Sequence, residues 1–570
     1  MIYRIGLALA LFGSVAVFVP EWVDAFGFVK IGVSYLGCLF LWSASDRDRF
    51  PETGLGRDIL TFGLALFLAT ICSIDPRLSI LGVYTQPFHG VLTIVPAFLI
   101  FFAASAAEPG QKDFVFYCAA MIGIVSGLSA LLQACGLQIE GLVSSTQGAG
   151  RAIGTMGGAV FLGSLCAVAL PACLWIDRNG GGLLMKFPGI MAILALVLSG
   201  TRSAWIGALA GLGAFLAASG AISGQAARKI ALAGLLGSLG MALAPLSKAR
   251  SDQERLNTWG TAVAAGMDNP INGWGPDTFP LAMRAHKGPE MAEAMGNRTW
   301  LIQASAHNDL LQAWATTGIM GLLAYAGLWM AVLLRVWKLA RLETGTRAAA
   351  TFGSLIALFV CAKFNPVAPP TFYLVAALVG SLFSVEQHSK SIFPRSKLAV
   401  GFSLWLAGAT IVSIQLIAEA KHSQGALAVQ RGDIKGGADG IREANELCPD
   451  SIEYATRRFE LIALIYPAAS EEQRREFAKR AIKSSALVVQ AHPHSPAAWE
   501  LMTSTELFAA DIFGPGLNRS ALKSAKRAVE LDPFFDFSAR RWALAAYANR
   551  DEKEFRKANI LVDRIELSKK

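Results

Sequence analysis

Residues 158–176 read GAVFLGSLCAVALPACLWI, a stretch of 19 residues without a charged side chain. A helix needs about 20 mostly apolar residues to cross the hydrocarbon core of a bilayer. The stretch therefore predicts a transmembrane helix. Similar runs recur along the chain, so most of the protein is predicted to lie in a membrane.

The overall composition agrees with a membrane protein. Of the 570 residues, 54% are hydrophobic and 16% are charged, whereas soluble domains carry about 25% charged residues. The charge is uneven, at about 11% of residues 1–418 and about 30% of residues 419–570. We therefore predict a membrane body at 1–418 and a soluble tail at 419–570. An ordinary cytosolic enzyme is excluded.

The body contains thirteen apolar runs near the length of a membrane span. They centre on residues 3–19, 25–43, 58–73, 90–106, 115–135, 158–176, 187–200, 203–219, 230–246, 309–334, 348–365, 371–385 and 398–418. The predicted fold class is all-α, with about 12–13 transmembrane helices followed by a helical soluble domain.

Lysines and arginines in the connections orient these spans. With a cytoplasmic N-terminus, the cytoplasmic side receives sixteen of them, and the short outer loops receive only Arg77, Arg151 and Arg202. Because cytoplasmic loops are the basic ones, the polar stretch 247–308 is predicted to lie outside the cytoplasm. An odd number of spans places the tail there too. Charge distributed in this way orients a chain in a bilayer and does not indicate a nucleic-acid partner.

The tail carries apolar residues at helical spacing and three similar turns. These are Leu447-Cys-Pro-Asp450, Ala491-His-Pro-His494 and Leu531-Asp-Pro533, whose prolines are 44 and 40 residues apart. The pattern resembles degenerate tetratricopeptide (TPR) repeats, which have a period of about 34 residues. A plain helical bundle is the alternative. Either would serve as a packing module or as a site for protein partners.

Two arginines on the predicted outer surface are candidates for binding an anion. Arg202 stands in Gly200-Thr-Arg-Ser-Ala-Trp205, and Arg255 begins Arg255-Leu-Asn-Thr-Trp259. Arginines are usually concentrated in cytoplasmic loops, so arginines on the outer side favour a phosphate or diphosphate ligand. The alternatives are an interface anchor for Arg202 and a solvated helix charge for Arg255.

His307 is the candidate base. It lies where the polar loop meets the next apolar helix, which Ser305 or Asn308 would cap. The positive end of a helix disfavours imidazolium, so a neutral His307 could accept a proton. The alternative is a hydrogen-bonded structural histidine.

Two spaced motifs make the sequence resemble the O-antigen ligase and polymerase superfamily, polytopic glycosyltransferases that act on lipid-diphosphate-linked glycans. Arg255 is followed by ten residues and Gly266, and His307-Asn308 by nine residues, Gly318, two residues and Gly321. The resemblance runs from about residue 75 to about 325 and does not include the tail. Ser199-Gly-Thr-Arg-Ser203 is the third piece that carries the match. Weaker similarities to the family are Asp75-Pro-Arg-Leu-Ser79 with Gly82, Arg151-Ala-Ile-Gly-Thr155 and Asn269-Pro-Ile-Asn-Gly-Trp-Gly275.

The resemblance implies an inverting transfer of a glycan from undecaprenyl diphosphate to an acceptor hydroxyl at the outer face of a bacterial inner membrane. His307 would be the base, and Arg202 and Arg255 would hold the diphosphate. Arg77, Arg151 and Asn308 are further substrate-binding candidates. No metal or other cofactor is implied.

The sequence does not determine which acceptor receives the glycan. Lipid A–core sugar, a growing polysaccharide and a protein serine or threonine would make the chain a ligase, a polymerase or a protein O-oligosaccharyltransferase. A carrier of lipid-linked sugars and a non-enzymatic membrane scaffold are the alternatives from other classes.

Overall fold

The computed structural model describes residues 1–44, 54–137, 150–180, 183–221, 225, 249–288, 302–342, 346–383 and 395–567. Within these ranges the protein is helical, apart from loops and an isolated β-bridge between Val83 and Gln86. The all-α prediction is confirmed.

The described part of the body consists of helices and the segments between them. In chain order they are α1 Ile2–Ala8, α2 Ser14–Ala16, α3 Gly27–Ala44, α4 Gly54–Ile71, α5 Pro76–Leu81, α6 Val91–Ser105, α7 Pro109–Lys112, α8 Phe114–Ala134, α9 Ala159–Gly180, α10 Leu183–Leu198, α11 Arg202–Ala218, α12 Ala249–Asp268, α13 Phe279–His286, α14 Asp309–Leu342, α15 Thr346–Ala362, α16 Pro369–Leu382 and α17 Arg395–Gln430.

Several of these helices suit a membrane by length and composition. Among the described residues, five candidate spans are Gly27–Ala44, Pro109–Ala134, Ala159–Asp177, Asp309–Leu342 and Phe402–Gln430. Six further apolar helices have 10–17 residues. The prediction of a polytopic membrane protein is therefore confirmed, whereas the count of 12–13 spans stays a prediction. The predicted span at 230–246 lies outside the described residues.

Small residues let the body helices pack closely. A Cβ at Gly211 on α11 would lie 2.6 Å from the carbonyl oxygen of Gly353 on α15. Membrane helices associate through such contacts because lipid provides no hydrophobic force between them.

The body and the tail share one continuous helix. The compositional boundary at residue 419 falls inside α17, where the side chain of Glu419 is 1% exposed. Its Oε1 accepts a hydrogen bond from the backbone N–H of Asp24 at 2.9 Å, and its Oε2 accepts from the hydroxyls of Tyr84 at 2.8 Å and Tyr454 at 3.0 Å. A buried carboxylate needs such donors. Glu419 therefore joins the N-terminal loop, a body loop and the tail at one point.

The tail consists of seven further described helices. They are α18 Ile434–Leu447, α19 Ile452–Ile465, α20 Glu471–Ala491, α21 Pro496–Phe513, α22 Gly516–Leu531, α23 Asp536–Ala548 and α24 Glu552–Leu567. The three proline turns follow the ends of α18, α20 and α22, so their prediction as turns between helices is confirmed. The resemblance to TPR repeats stays a prediction.

The first two proline turns dock the tail on the body. Asp450 forms an ion pair with Arg77, and His492 Nδ1 lies 2.6 Å from Asp75 Oδ2. Asp75 also caps α5, because its Oδ1 accepts from the backbone N–H of Leu78 at 2.9 Å. Successive turns of the tail therefore hold one short body helix.

The third proline turn docks on α13 through a buried ionic cluster. Asp532 lies 3.1 Å from Lys287 Nζ and 3.4 Å from Arg284 Nη1. The side chains of Asp532 and Lys287 are both 0% exposed. The tail thus covers the same face of the body that carries the loops around residues 73–90 and 269–288.

We expect Asp532→Asn to destabilise the full chain more than Asp450→Asn. Removing one partner of a buried ion pair costs about 3–5 kcal/mol because the other charge stays buried. Arg77 and Asp450 are 35% and 18% exposed, and a partly solvated pair contributes about 1 kcal/mol or less. The measurement is the thermal unfolding of both full-length variants in the same detergent.

His494→Ala, which alters an exposed residue of the second turn, is the matched control and should leave the unfolding temperature unchanged. Equal losses for the two aspartate variants would contradict the burial of Asp532 against α13.

Candidate functional site

A cavity of about 260 Å³ lies between helices α4, α6, α14, α15 and α16. Most of its wall is apolar and aromatic, including Ile59, Phe62, Phe98, Leu328, Trp329 and Phe372. Its polar lining comes mainly from the loops before α6 and α14 and from the first turn of α14, and includes His89, Ser305, His307, Asn308, Asp309 and Gln312. A cavity with a long apolar wall and a polar end suits an amphiphilic molecule.

His307 is held in this polar lining by its own loop. Its φ of 54° lies in the left-handed region, which is uncommon for a residue with a side chain. Two contacts fix the backbone there: Ala306 N–H donates to Gln312 Oε1 at 2.7 Å, and His307 N–H donates to Ser305 Oγ at 3.4 Å. The imidazole Nε2 lies 3.1 Å from Gln303 Oε1. With that oxygen as acceptor, Nε2 carries the proton, and the lone pair is on Nδ1.

The surroundings of His307 keep its imidazole neutral. Burial, assisted by the nearby guanidinium of Arg255, lowers the pKa of His307 to about 4 from the ordinary 6.5. Nδ1 is buried and has no hydrogen-bond partner within the described ranges. The predicted neutral imidazole agrees with this environment, although the main physical cause is burial rather than the helix start.

Asn308 is the cap of helix α14. Its Oδ1 accepts from the backbone N–H groups of Leu310 at 3.1 Å and Leu311 at 3.2 Å. The predicted capping role is therefore confirmed. Because the cap engages the oxygen, a role for Asn308 in binding substrate would rest on the amide nitrogen.

Arg255 and Gly266 lie eleven positions apart on α12, which is about three helical turns, so both point to one side of the helix. A Cβ at Gly266 would overlap the indole of Trp314 on α14, whose Nε1 donates to the carbonyl of Val263 at 3.3 Å. The spaced motif thus combines the candidate residue Arg255 with the point at which its helix packs on α14. The spacing is visible in the sequence, but this reason for it follows only from the fold.

Gly318, a glycine of the second motif, lies where α14 packs against the loop at 269–275. Gly318 interrupts α14 with φ 62° and ψ −164°, and a Cβ at Gly273 would overlap the backbone of Thr316 and Thr317. The backbone N–H of Gly275 then donates to the carbonyl of Thr316 at 2.8 Å. The loop at 269–275 therefore pairs with the kinked helix backbone.

Arg151 supports the turn that precedes Arg202. Its Nε donates to the carbonyl of Ser199 and its Nη2 to Thr201 Oγ1, both at 2.8 Å. Arg202 follows as the exposed first residue of α11. Burial and the like charge of Arg255 lower the pKa of Arg151. The structure thus brings Arg255 within electrostatic range of both Arg151 and His307.

The guanidinium of Arg77 pairs with Asp450 of the tail. Like Arg151, Arg202 and Arg255, it is not among the cavity-lining residues. Its part in binding substrate stays a prediction.

An ionic cluster that the sequence does not predict lies at the start of α14. Asp309 Oδ1 accepts from Lys363 Nζ at 2.5 Å, and its Oδ2 accepts from the Tyr325 hydroxyl at 2.8 Å. The available signal was Lys363 itself, because a lysine at the end of an apolar run requires a counter-charge. The identity of that counter-charge follows only from the fold.

We expect Gly266→Ala to destabilise the chain by about 1–3 kcal/mol, the usual cost of overpacking. The added methyl group must displace Trp314 or separate α12 from α14. The measurement is the unfolding temperature of the full chain, with Gly260→Ala as control. A Cβ at Gly260 on the same helix meets no atom within 4 Å, so alanine there should stabilise the helix by about 0.5–1 kcal/mol. Shifts of the same sign in both variants would contradict the close contact at Gly266.

Comparison with known proteins places the site in a family. No curated protein matches the chain. The O-antigen ligase family matches residues 187–326, about a quarter of the length. This segment contains Arg202, Arg255 and His307 together with the packing glycines Gly266 and Gly318. The match confirms, for residues 187–326, the predicted resemblance to the O-antigen ligase superfamily.

Proposed function

We propose that this protein transfers a glycan from undecaprenyl diphosphate to the hydroxyl of an acceptor at the outer face of a bacterial inner membrane. The match of residues 187–326 to the O-antigen ligase family supports glycan transfer of the ligase or polymerase type. The observation that carries the specific proposal is the cavity, which is apolar between the membrane helices and polar at His307. A polyprenyl diphosphate has the same division into hydrocarbon and charged head group.

Arg255, which lies near His307 of the cavity lining, would bind the diphosphate together with Arg151 and Arg202. Arg255 lies close enough to influence the protonation of both His307 and Arg151. A guanidinium presents paired donors that match phosphate oxygens. Arg255, Arg151 and Arg202 would therefore stabilise the negative charge that develops on the departing diphosphate. Diphosphate is a good leaving group, so no protein acid needs to protonate it.

His307 would act as the general base. As the acceptor oxygen attacks the anomeric carbon, its proton passes to His307 Nδ1, and the bond from the anomeric carbon to the diphosphate oxygen breaks with inversion. The electron pair of that bond leaves with the polyprenyl diphosphate. An anion bound beside Arg255 would offset the cation that disfavours imidazolium. Donor binding would thus make His307 a stronger base when it is needed.

The acceptor is proposed as lipid A–core sugar, which makes the enzyme a ligase. The glycan profile of a strain lacking the gene tests this choice. Full-length unattached chains indicate a ligase, whereas donor with intact single repeats indicates a polymerase. An unmodified protein acceptor would indicate a protein O-oligosaccharyltransferase.

We expect His307→Gly to abolish glycan transfer while membrane abundance stays normal. Glycine adopts the left-handed backbone of this position without strain, so this variant removes the imidazole with less disturbance than His307→Ala. Transfer is measured from the glycan profile of the complemented strain. Partial rescue by added imidazole would distinguish a base from a structural residue.

His494→Ala is the histidine control and should transfer at the wild-type rate, because it lies on an exposed turn of the tail. Wild-type transfer by His307→Gly would disprove the proposed base.

The pH dependence should follow the lowered pKa of His307. The neutral imidazole is required, and it predominates at every pH above its pKa of about 4. The ratio kcat/KM, which reports the free enzyme, should therefore stay level from neutral pH to about 5 and fall below about 4. Arg255→Gln removes the like charge, so its residual activity should fall at a higher pH than in the wild type. An acidic limb near the ordinary histidine value of about 6.5 in the wild type would contradict the buried environment.

A further inference from the structure

His89 faces the same cavity from a different loop and is paired with Asp277. His89, which is 24% exposed, lines the cavity, and its Nδ1 lies 3.5 Å from Oδ1 of Asp277, which is 0% exposed. Neither of these two atoms has a hydrogen-bond partner among the described residues. Such a pair requires an explanation, because buried polar atoms are normally satisfied.

The backbone fixes Asp277 behind the imidazole. Asp277 has a φ of 56°, in the left-handed region, and its Oδ2 accepts from the backbone N–H of Val83 at 3.2 Å. A Cβ at Gly82 would lie 2.7 Å from that oxygen, so a larger residue there would push the carboxylate away. The carboxylate is therefore held against the loop that carries His89. A carboxylate next to Nδ1 orients an imidazole and leaves Nε2 as the other polar atom of the ring.

We propose that His89 contacts the glycan of the donor by a hydrogen bond between Nε2 and a sugar hydroxyl, and that Asp277 is the positioning residue for its ring. The inference rests on the proposed function and adds a sugar-binding position to it. The carboxylate of Asp277 disfavours a second anion at His89, so the diphosphate belongs with Arg255 and Arg151. A sugar hydroxyl is uncharged and both donates and accepts, which suits an imidazole nitrogen in either protonation state.

The first experiment measures binding without a sugar. Undecaprenyl diphosphate is titrated into the purified full chain in nanodiscs, and bound lipid is quantified by native mass spectrometry. Because this probe carries no glycan, wild type and His89→Ala should bind it equally. Arg255→Gln should bind it more weakly.

The second experiment measures transfer of the native glycan in membranes from a gene-deletion strain that carries each variant. His89→Ala should reduce the rate about ten-fold, as expected for the loss of one well-placed hydrogen bond. His89→Gln, which keeps a polar group of similar reach, should retain more activity. Asp277→Asn alone should reduce the transfer rate less than His89→Ala does. Combined with His89→Ala it should cause no further reduction, because Asp277 acts only by positioning the imidazole ring. His494→Ala is again the control.

The outcomes separate this inference from the proposed function. Wild-type transfer by His89→Ala overturns the role of His89 and leaves the proposed donor intact. Equal loss of undecaprenyl diphosphate binding in His89→Ala and Arg255→Gln also overturns it, because His89 would then serve the diphosphate. Additive losses for Asp277→Asn and His89→Ala overturn the positioning role. A wild-type chain that fails to bind undecaprenyl diphosphate overturns the donor and this inference together.

Discussion

The contact between the loop at 269–275 and helix α14 is the constraint on which the site depends. Gly273 leaves no room for a Cβ against Thr316 and Thr317, and Gly266 leaves none against Trp314. Interiors packed this closely transmit a displacement rather than absorb it. Arg255 is about three turns from Gly266, and His307 begins the segment that leads to Gly318. The separation of Arg255 from His307 is therefore set by the packing at Gly266 and Gly318, which lie far along the two helices.

Arg255 influences the protonation of two neighbouring side chains. Arg255 lowers the pKa of both His307 and Arg151, so two cations and a buried imidazole share one region of low dielectric. An anion bound beside Arg255 would make it easier for His307 to take up a proton. This coupling gives the proposed reaction a natural order, with donor before acceptor.

Local patterns predicted what depends on neighbouring residues. The apolar runs indicated the helices, the Ser305–Asn308 segment indicated a cap, and the proline turns indicated the helix ends of the tail. Contacts between distant loops leave no such pattern. Arg77 pairs with Asp450, and His89 faces Asp277, and neither partner follows from spacing or composition. The boundary at 419 was placed by charge density, which cannot reveal that α17 continues through it.

The docking of the tail through three successive turns restricts how this part of the protein can evolve. Helical repeats are commonly gained and lost, because each contacts mainly its neighbours. Here the first two turns meet residues 75–77, whereas the third meets Lys287. Inserting or deleting one helix pair would move every later turn away from its partner on the body. The spacing of the three turns along the tail is therefore fixed by the positions of their partners on the body.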